Sequence, residues 1–296
     1  MSSPAVPIGA AHEDRPVGLW TDAFQRMRRN PAAIIGLGII AFVVFMAIFA
    51  PFLAPYDPTR GNLSESYLPP SAEHWFGTNV QGQDVLSRII YGARLTLGVA
   101  ILSVTIGLIV GGTLGAIAGF FRGWIDSVIM RGVDIMLAIP GLLFAIAVVT
   151  FLGRGVVQMA VAIAIINVPI FARLLRASLL SLREAEYIVA ARSVGVRTMA
   201  LVTRHMLPNA IGPLIVQATL ALATAVVDAA ALGFLGLGPP DPRTPEWGTM
   251  LSDTYRYLND APFLAFFPGI AIVISVFGFN LLGDGLRESL DPKLRR

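Results

Sequence analysis

Six stretches of this 296-residue sequence, 32–53, 95–121, 134–152, 156–174, 210–237 and 263–282, are apolar and almost free of charge. A helix that crosses a bilayer needs roughly 20 such residues, so the pattern predicts an all-α membrane protein with six transmembrane helices. Composition agrees: 55% of residues are hydrophobic, 14% are charged and the mean hydropathy is +0.70, whereas soluble domains carry about 25% charged residues. The first stretch is too long and too far from Met1 for a cleaved signal peptide and reads as an uncleaved signal anchor.

Orientation follows from the placement of Lys and Arg, which concentrate on the cytoplasmic side. With the N-terminus inside, 16 of the 22 basic residues are cytoplasmic. The opposite orientation inverts that ratio, so the chain is expected N-in and C-in. Two sizeable segments, 54–94 and 238–262, then face outward, both rich in Pro, Gly, Asn and Asp.

Several chemistries are excluded or disfavoured. The sequence has no cysteine, so disulfides, thiolate catalysis and cysteine zinc sites are absent. His12, His74 and His205 lie in separate segments and suggest no metal cluster. The only lysine, Lys293, stands in "DPKLRR" without a glycine loop before it, so no phosphate-binding loop of the GxxxxGK[ST] type is present. No candidate catalytic residues, resident cofactor or nucleic-acid site emerge.

Within the apolar runs, Gly107, Gly111, Gly115 and Gly119 recur every four residues. They form a ridge without side chains along which another helix can approach closely. Pro140 and Pro169 each remove a backbone donor and are expected to kink their helices. Gln217, Thr224 and Asp228 are spaced seven and four apart, which puts them within about 40° of one another on a helix. An acid in a membrane helix faces a bundle interior, a partner or water. The stripe therefore lines a translocation path or makes hydrogen bonds at a subunit contact, and the spacing leaves both open.

Residues 181–210, between the fourth and fifth runs, hold four arginines, two glutamates and a histidine. Ser181 and Glu184 fit a capping box, predicting a helix to about Val194 that Gly195 ends. Thr198 is expected to cap a second helix from Met199 to Met206, before Pro208. Ala190 and Ala191 are small enough for a partner to approach, with Arg183, Arg192, Arg197 and Arg204 around them. The same features also fit a basic loop resting on lipid headgroups.

This loop resembles the EAA motif of ABC importer permeases. It runs Val189-Ala190-Ala191, three residues, Gly195, then Met206-Leu207-Pro208, with Val189 where the motif has Glu and with Glu186 three residues earlier. "HWFGTNVQGQDVLSRIIYGARLTL" (74–97), "ALGFLGLGPPDPRTPEWGTML" (231–251) and "NLLGDGLRESLDPKL" (280–294) resemble the C-type permease subunit of dipeptide and oligopeptide importers. Asn79 and Gln83 replace that family's usual Asp and Arg, and Asp228 stands where it usually has Glu.

The resemblance implies a type I ABC importer permease fold in a bacterial inner membrane. It implies a second homologous permease, two ATP-binding subunits that carry ATP and Mg, and an extracytoplasmic substrate-binding protein. The coupling loop would be 175–208, with Glu186, Tyr187, Ala190, Ala191, Arg192, Ser193 and Gly195 against an ATPase subunit. The expected organisation is a tail (1–31), a first helix with its outer segment (32–94), a five-helix core (95–285) and a C-terminal tail (286–296). Peptides are the expected substrate, with glutathione or nickel chelates as alternatives. An ATPase-independent secondary transporter and an intramembrane enzyme are the competing classes.

Overall fold

The structure is a computed structural model in which residues 25–290 are described; His12, the tail's first 24 residues and Lys293 lie outside that range. Among the described residues, five helices are long and apolar enough to cross a membrane. A sixth apolar stretch is broken into two helices set at 94°.

Helix α1 (Pro31–Ile48) starts where the Asn30 side chain accepts from the Ala32 and Ala33 N–H groups, with Pro31 in the first turn. That satisfies donors a helix N-terminus leaves open. The helix stops at Phe49, short of the expected residue 53, and only a single turn, α2 (Ala50–Leu53), follows. Pro51 lies there and supplies no N–H to continue the ladder.

Helix α3 (Val85–Phe121) begins ten residues before the predicted 95, so the proposed boundary at 94/95 falls inside a helix. The cause is Asp84, whose carboxylate accepts from the Ser87 N–H (2.8 Å) and hydroxyl (2.7 Å) and nucleates a helix while the sequence is still polar.

The third predicted span is a sharper feature than a kink. It consists of α4 (Gly123–Ala138) and α5 (Gly141–Leu152). Ile139 is extended at φ −92°, ψ 130°, the conformation a following proline imposes.

Helix α6 (Val156–Arg183) keeps Pro169 inside it and packs most intimately against α3. The glycine ridge makes that contact. A Cβ at Gly107 would lie 2.7 Å from Asn167 Cβ, and one at Gly111 or Gly115 would strike the carbonyl oxygen of Val168 or Ala172. All four glycines of the ridge are buried.

After the short α7 (Glu186–Ser193), α8 (Thr198–Ala200) passes through a π-helical turn (Leu201–Met206) into α9 (Leu207–Leu232). The break expected before Pro208 is absent. The Leu207 N–H bonds the Val202 carbonyl, five residues back, and the wider π turn accommodates a residue that cannot donate. A second π turn (Gly233–Leu237) closes this element. Helix α10 (Trp247–Thr254) lies in the outer segment, and α11 (Phe263–Leu290) runs past residue 282 into the range expected as a tail.

Helices α1 and α11 meet through small residues. A Cβ at Gly36 would lie 2.5 Å from Leu282 N, and one at Gly285 would lie 2.5 Å from Ala33 Cβ. Asn30 donates to Glu288 at 2.6 Å and ties the ends of the two helices together.

Candidate coupling loop and translocation face

The predicted capping box does not form. Ser181 sits inside α6, which runs on to Arg183, and Glu184 is the residue that closes it. A helix already propagating from the membrane continues through a Ser at little cost, so no new N-terminus arises there. The next helix, α7, starts at Glu186 after an extended Ala185 without side-chain capping. Thr198 is likewise the first residue of α8 rather than its cap, the cap position being Arg197.

The other end of α7 matches its sequence signature. Gly195 is at φ +85°. Its N–H bonds Arg192 O (3.0 Å), and the Val196 N–H bonds Ala191 O (3.2 Å). This paired closure is the Schellman motif, and it calls for glycine in the left-handed position.

Helix α7 is anchored by one fully buried residue, Ile188, while Tyr187, Val189, Ala190, Arg192 and Ser193 are exposed. Val194, 81% exposed, and Met199 extend the apolar area past the turn. Ala191 is half-buried and packs inward, so of the two small residues Ala190 faces outward. The Asn209 amide bonds His205 O (2.5 Å) and reaches the Tyr187 hydroxyl (3.5 Å), joining α7 to the base of α9. Arg183 caps the far end of α3, donating to Phe120 O at 3.3 Å, as suits a cation at a helix C-terminus.

On α9 the three polar residues share a face, as spaced. Gln217 lines a 440 Å³ cavity with Leu174, Pro213 and Arg287. The Thr224 hydroxyl turns back to Ala221 O at 3.0 Å. Asp228 is half-buried, and among the described residues no hydrogen-bond or ion-pair partner takes its carboxylate.

Sequence reasoning missed two ion pairs that pin the bent segment. Arg176 grips Asp126 with two nitrogens (3.0 and 2.6 Å), and Arg173 meets Asp134 at 2.6 Å. Asp134 and Arg173, charges inside predicted spans, were the available signal for one pair; Asp126 and Arg176 lie outside those spans and gave none. The two pairs tie α4 to the C-terminal part of α6.

It also missed the outer cap, where residues 54–84 and 238–262 close over α3. Arg88 is buried and donates to Gln83 Oε1 and to the carbonyls of Pro58 (3.2 Å), Arg243 (3.2 Å) and Pro242 (3.3 Å). Gln83 in turn accepts from Asn79 (2.9 Å) and donates to Thr59 O (3.0 Å). Thus Asn79 and Gln83, the two departures within 74–97, bond each other. His74 Nδ1 lies 3.0 Å from Asp84.

Glu246 is buried and N-caps α10, accepting from Gly248 N (2.9 Å) and Thr249 N (2.8 Å), with the Thr96 hydroxyl at 3.3 Å. Burial pushes its carboxyl up to about 7 against those hydrogen bonds. Trp247 is fully buried against Gly92 and donates from Nε1 to Ile89 O at 3.0 Å.

Residues 111–296 match the family described as binding-protein-dependent transport system inner membrane component, and residues 18–70 match the N-terminal TM domain of oligopeptide transport permease C. The chain is 50% identical to the dipeptide transport system permease protein DppC of Alkalihalophilus pseudofirmus, over 94% of this chain and 91% of that one. Identity is 46% to the di/tripeptide transport system permease protein DppC of Pseudomonas aeruginosa (92% and 91% covered) and 41% to the glutathione transport system permease protein GsiD of Escherichia coli O157:H7 (93% and 91%).

Among solved structures, an inward-facing MetNI methionine ABC transporter chain matches with a TM-score of 0.59 at 21% identity. The match covers 70% of this chain and 97% of that one and shows the shared fold. With the six apolar segments, the glycine-packed core and these matches in hand, the chain belongs to the binding-protein-dependent transport system inner membrane components, as a multi-pass permease of the bacterial inner membrane.

Proposed function

We propose that this permease imports short peptides as one half of an ATP-driven transporter, with α7 as the seat for a separate ATPase subunit. The observation that carries the reading is the arrangement of α7: one buried anchor, Ile188, beneath an exposed surface of Tyr187, Val189, Ala190 and Val194. An apolar surface of that kind, ringed by Glu186, Arg192 and Arg197, suits a protein partner.

Glu186, Tyr187, Ala190, Arg192 and Ser193 contact that ATPase, while Ala191 and Gly195 hold the helix in shape. ATP and Mg belong to two such subunits. Because α6, α7 and the π turn into α9 are adjacent in the chain or hydrogen-bonded, displacement of α7 reaches α6 and α9, two of the three helices around the cavity that holds Gln217. A second, related permease closes the other half of the path, and an external binding protein delivers the substrate. Gln217, Thr224 and Asp228 face that path.

The peptide substrate is supported by the relatives at 50% and 46% identity, whose names are those of dipeptide and di/tripeptide permeases. Uptake of a labelled dipeptide in cells lacking this gene, restored by the chain together with its partner ATPases, tests the reading. Restoration is expected only with ATPases competent for hydrolysis; restoration without them would establish a secondary transporter instead. The Asp228→Asn substitution is expected to lower uptake with the complex still assembled. Loss of assembly would place Asp228 at a subunit contact.

A further inference from the structure

The contact between α1 and α11 changes character along its length. In the cytoplasmic halves the backbones touch through Gly36, Ala33 and Gly285. In the outer halves the helices splay, and a 480 Å³ crevice opens between Phe42, Phe45 and Met46 on one side and Ile270 and Ile274 on the other. Its back wall is Ile89 and Trp247, and Phe76, stacked on Phe267 at 3.9 Å, roofs it.

Apart from the Trp75 indole N–H at its rim, the crevice offers no free hydrogen-bonding side chain. Ser275 is its one hydroxyl, and that donates to Ala271 O at 2.8 Å. The indole N–H of Trp247 is spent on Ile89 O. A water needs two to four polar partners to occupy such a space, so water is a poor occupant. An empty crevice forfeits dispersion contacts along both walls. What fills it is therefore hydrocarbon.

The mouth shows where the hydrocarbon comes from. Phe42, Phe45, Ile270 and Ile274 are all exposed on α1 and α11, two spans buried over only 22% and 28% of their most apolar windows. The crevice is thus continuous with the face these helices turn to the bilayer. Trp75, 69% exposed, stands at the rim, where the outer segment leaves the membrane and a tryptophan settles at headgroup level. The volume falls in the range of small-molecule sites, about 300–1,000 Å³, which suits a single chain better than a helix.

We infer that this crevice is a binding site for one phospholipid acyl chain from the outer leaflet, wedged between the N-terminal helix α1 and the core. The lipid chain completes the packing that glycines provide in the inner half, in front of the buried Trp247 that seats α10 on α3.

The test uses the whole transporter, assembled with its partner subunits, in bilayer nanodiscs of phosphatidylethanolamine and phosphatidylglycerol. A fraction of the lipid carries a photoreactive diazirine on the acyl chain. After irradiation, adducts are mapped by mass spectrometry. They are expected to concentrate on Phe42, Met46, Trp75 and Ile270. Filling the crevice with Ala271→Trp should cut them at least fivefold and leave labelling of Ile34 and Ile35, on the lipid face of the inner half, unchanged. If that variant fails to assemble, Met46→Trp fills the space from the opposite wall. Uniform labelling along α1 that ignores the filling variant would overturn the proposal. So would crosslinks from these positions to a partner permease chain, which would make the occupant protein.

Discussion

The two ends of this permease are finished differently. At the outer end, charged and aromatic groups are buried and spoken for: Arg88 has four acceptors, Glu246 has backbone donors and a threonine, and Trp247 is sealed against Gly92. At the cytoplasmic end, α7 rests on Ile188, its Tyr187, Val189 and Ala190 are exposed, and so is Val194 just past its end. Buried polar groups of the first kind are costly to disturb because each loses a partner it cannot replace. An exposed apolar face of the second kind costs little to alter in the isolated chain. The contrast separates a cap that is closed within the described residues from a surface left open, which the proposed ATPase subunit would cover.

Substitutions at the two ends should therefore divide between stability and coupling. Trp247→Ala should cost most, about 3–5 kcal/mol for a large buried aromatic, seen as loss of the folded chain on thermal challenge in detergent. Arg88→Met should follow at about 3 kcal/mol, since Gln83 Oε1 and three carbonyls lose their shared donor. Retention of wild-type stability in either variant would show that the cap is not the rigid end.

Glu246 adds a pH dependence of unusual sign. Its folded pKa of about 7 lies above the ordinary 4.5, so the folded state holds the proton longer than the unfolded one. That contribution is fully present below about pH 4.5 and is lost as pH rises through about 7, up to about 3 kcal/mol in all. Protection of the α10 amides, corrected for the intrinsic base-catalysed exchange rate, should fall across that interval in the wild type and stay constant in Glu246→Gln.

Much of the architecture was legible because lipid leaves the backbone few options. The apolar runs located the spans, the four-residue glycine repeat identified the α3 face that meets α6, and Gly195 marked a left-handed closure that needs no tertiary context. What was hidden depended on context. Helix α3 starts at Asp84 because of a local cap, in a stretch whose polarity suggested a loop. The Ser181 capping box failed because a helix arriving from the membrane had no reason to stop. Pro208 did not end the segment before α9 because a π turn absorbed its missing donor. At Pro140, where a kink was expected, the chain turned by 94°. The burial of Arg88 and Glu246 could not be read from a segment rich in Pro, Gly and Asp, since it arises only when two distant loops close over α3.

Weaker effects belong to the cytoplasmic end. Gly195→Ala should cost about 1 kcal/mol, because φ +85° is strained for any residue with a Cβ. It should also lower the coupling of ATP hydrolysis to uptake by moving α7 slightly. Ala190→Glu should leave thermal stability within about 0.5 kcal/mol of wild type and still abolish dipeptide uptake. Measured together, these two values separate a docking surface from a loop that merely rests on lipid headgroups.

The absence of native cysteines makes the most direct test clean. Single cysteines at Ala190 and Val189 on the exposed face of α7, and at the half-buried Ala191 as an internal reference, are paired with cysteines scanned across the surface of the co-purified ATPase. The account predicts rapid disulfide crosslinking from Ala190 and Val189 to one groove of the ATPase, much slower crosslinking from Ala191, and a rate that changes when ATP is added. No crosslink from either exposed position, in a complex that hydrolyses ATP and takes up peptide, would contradict it.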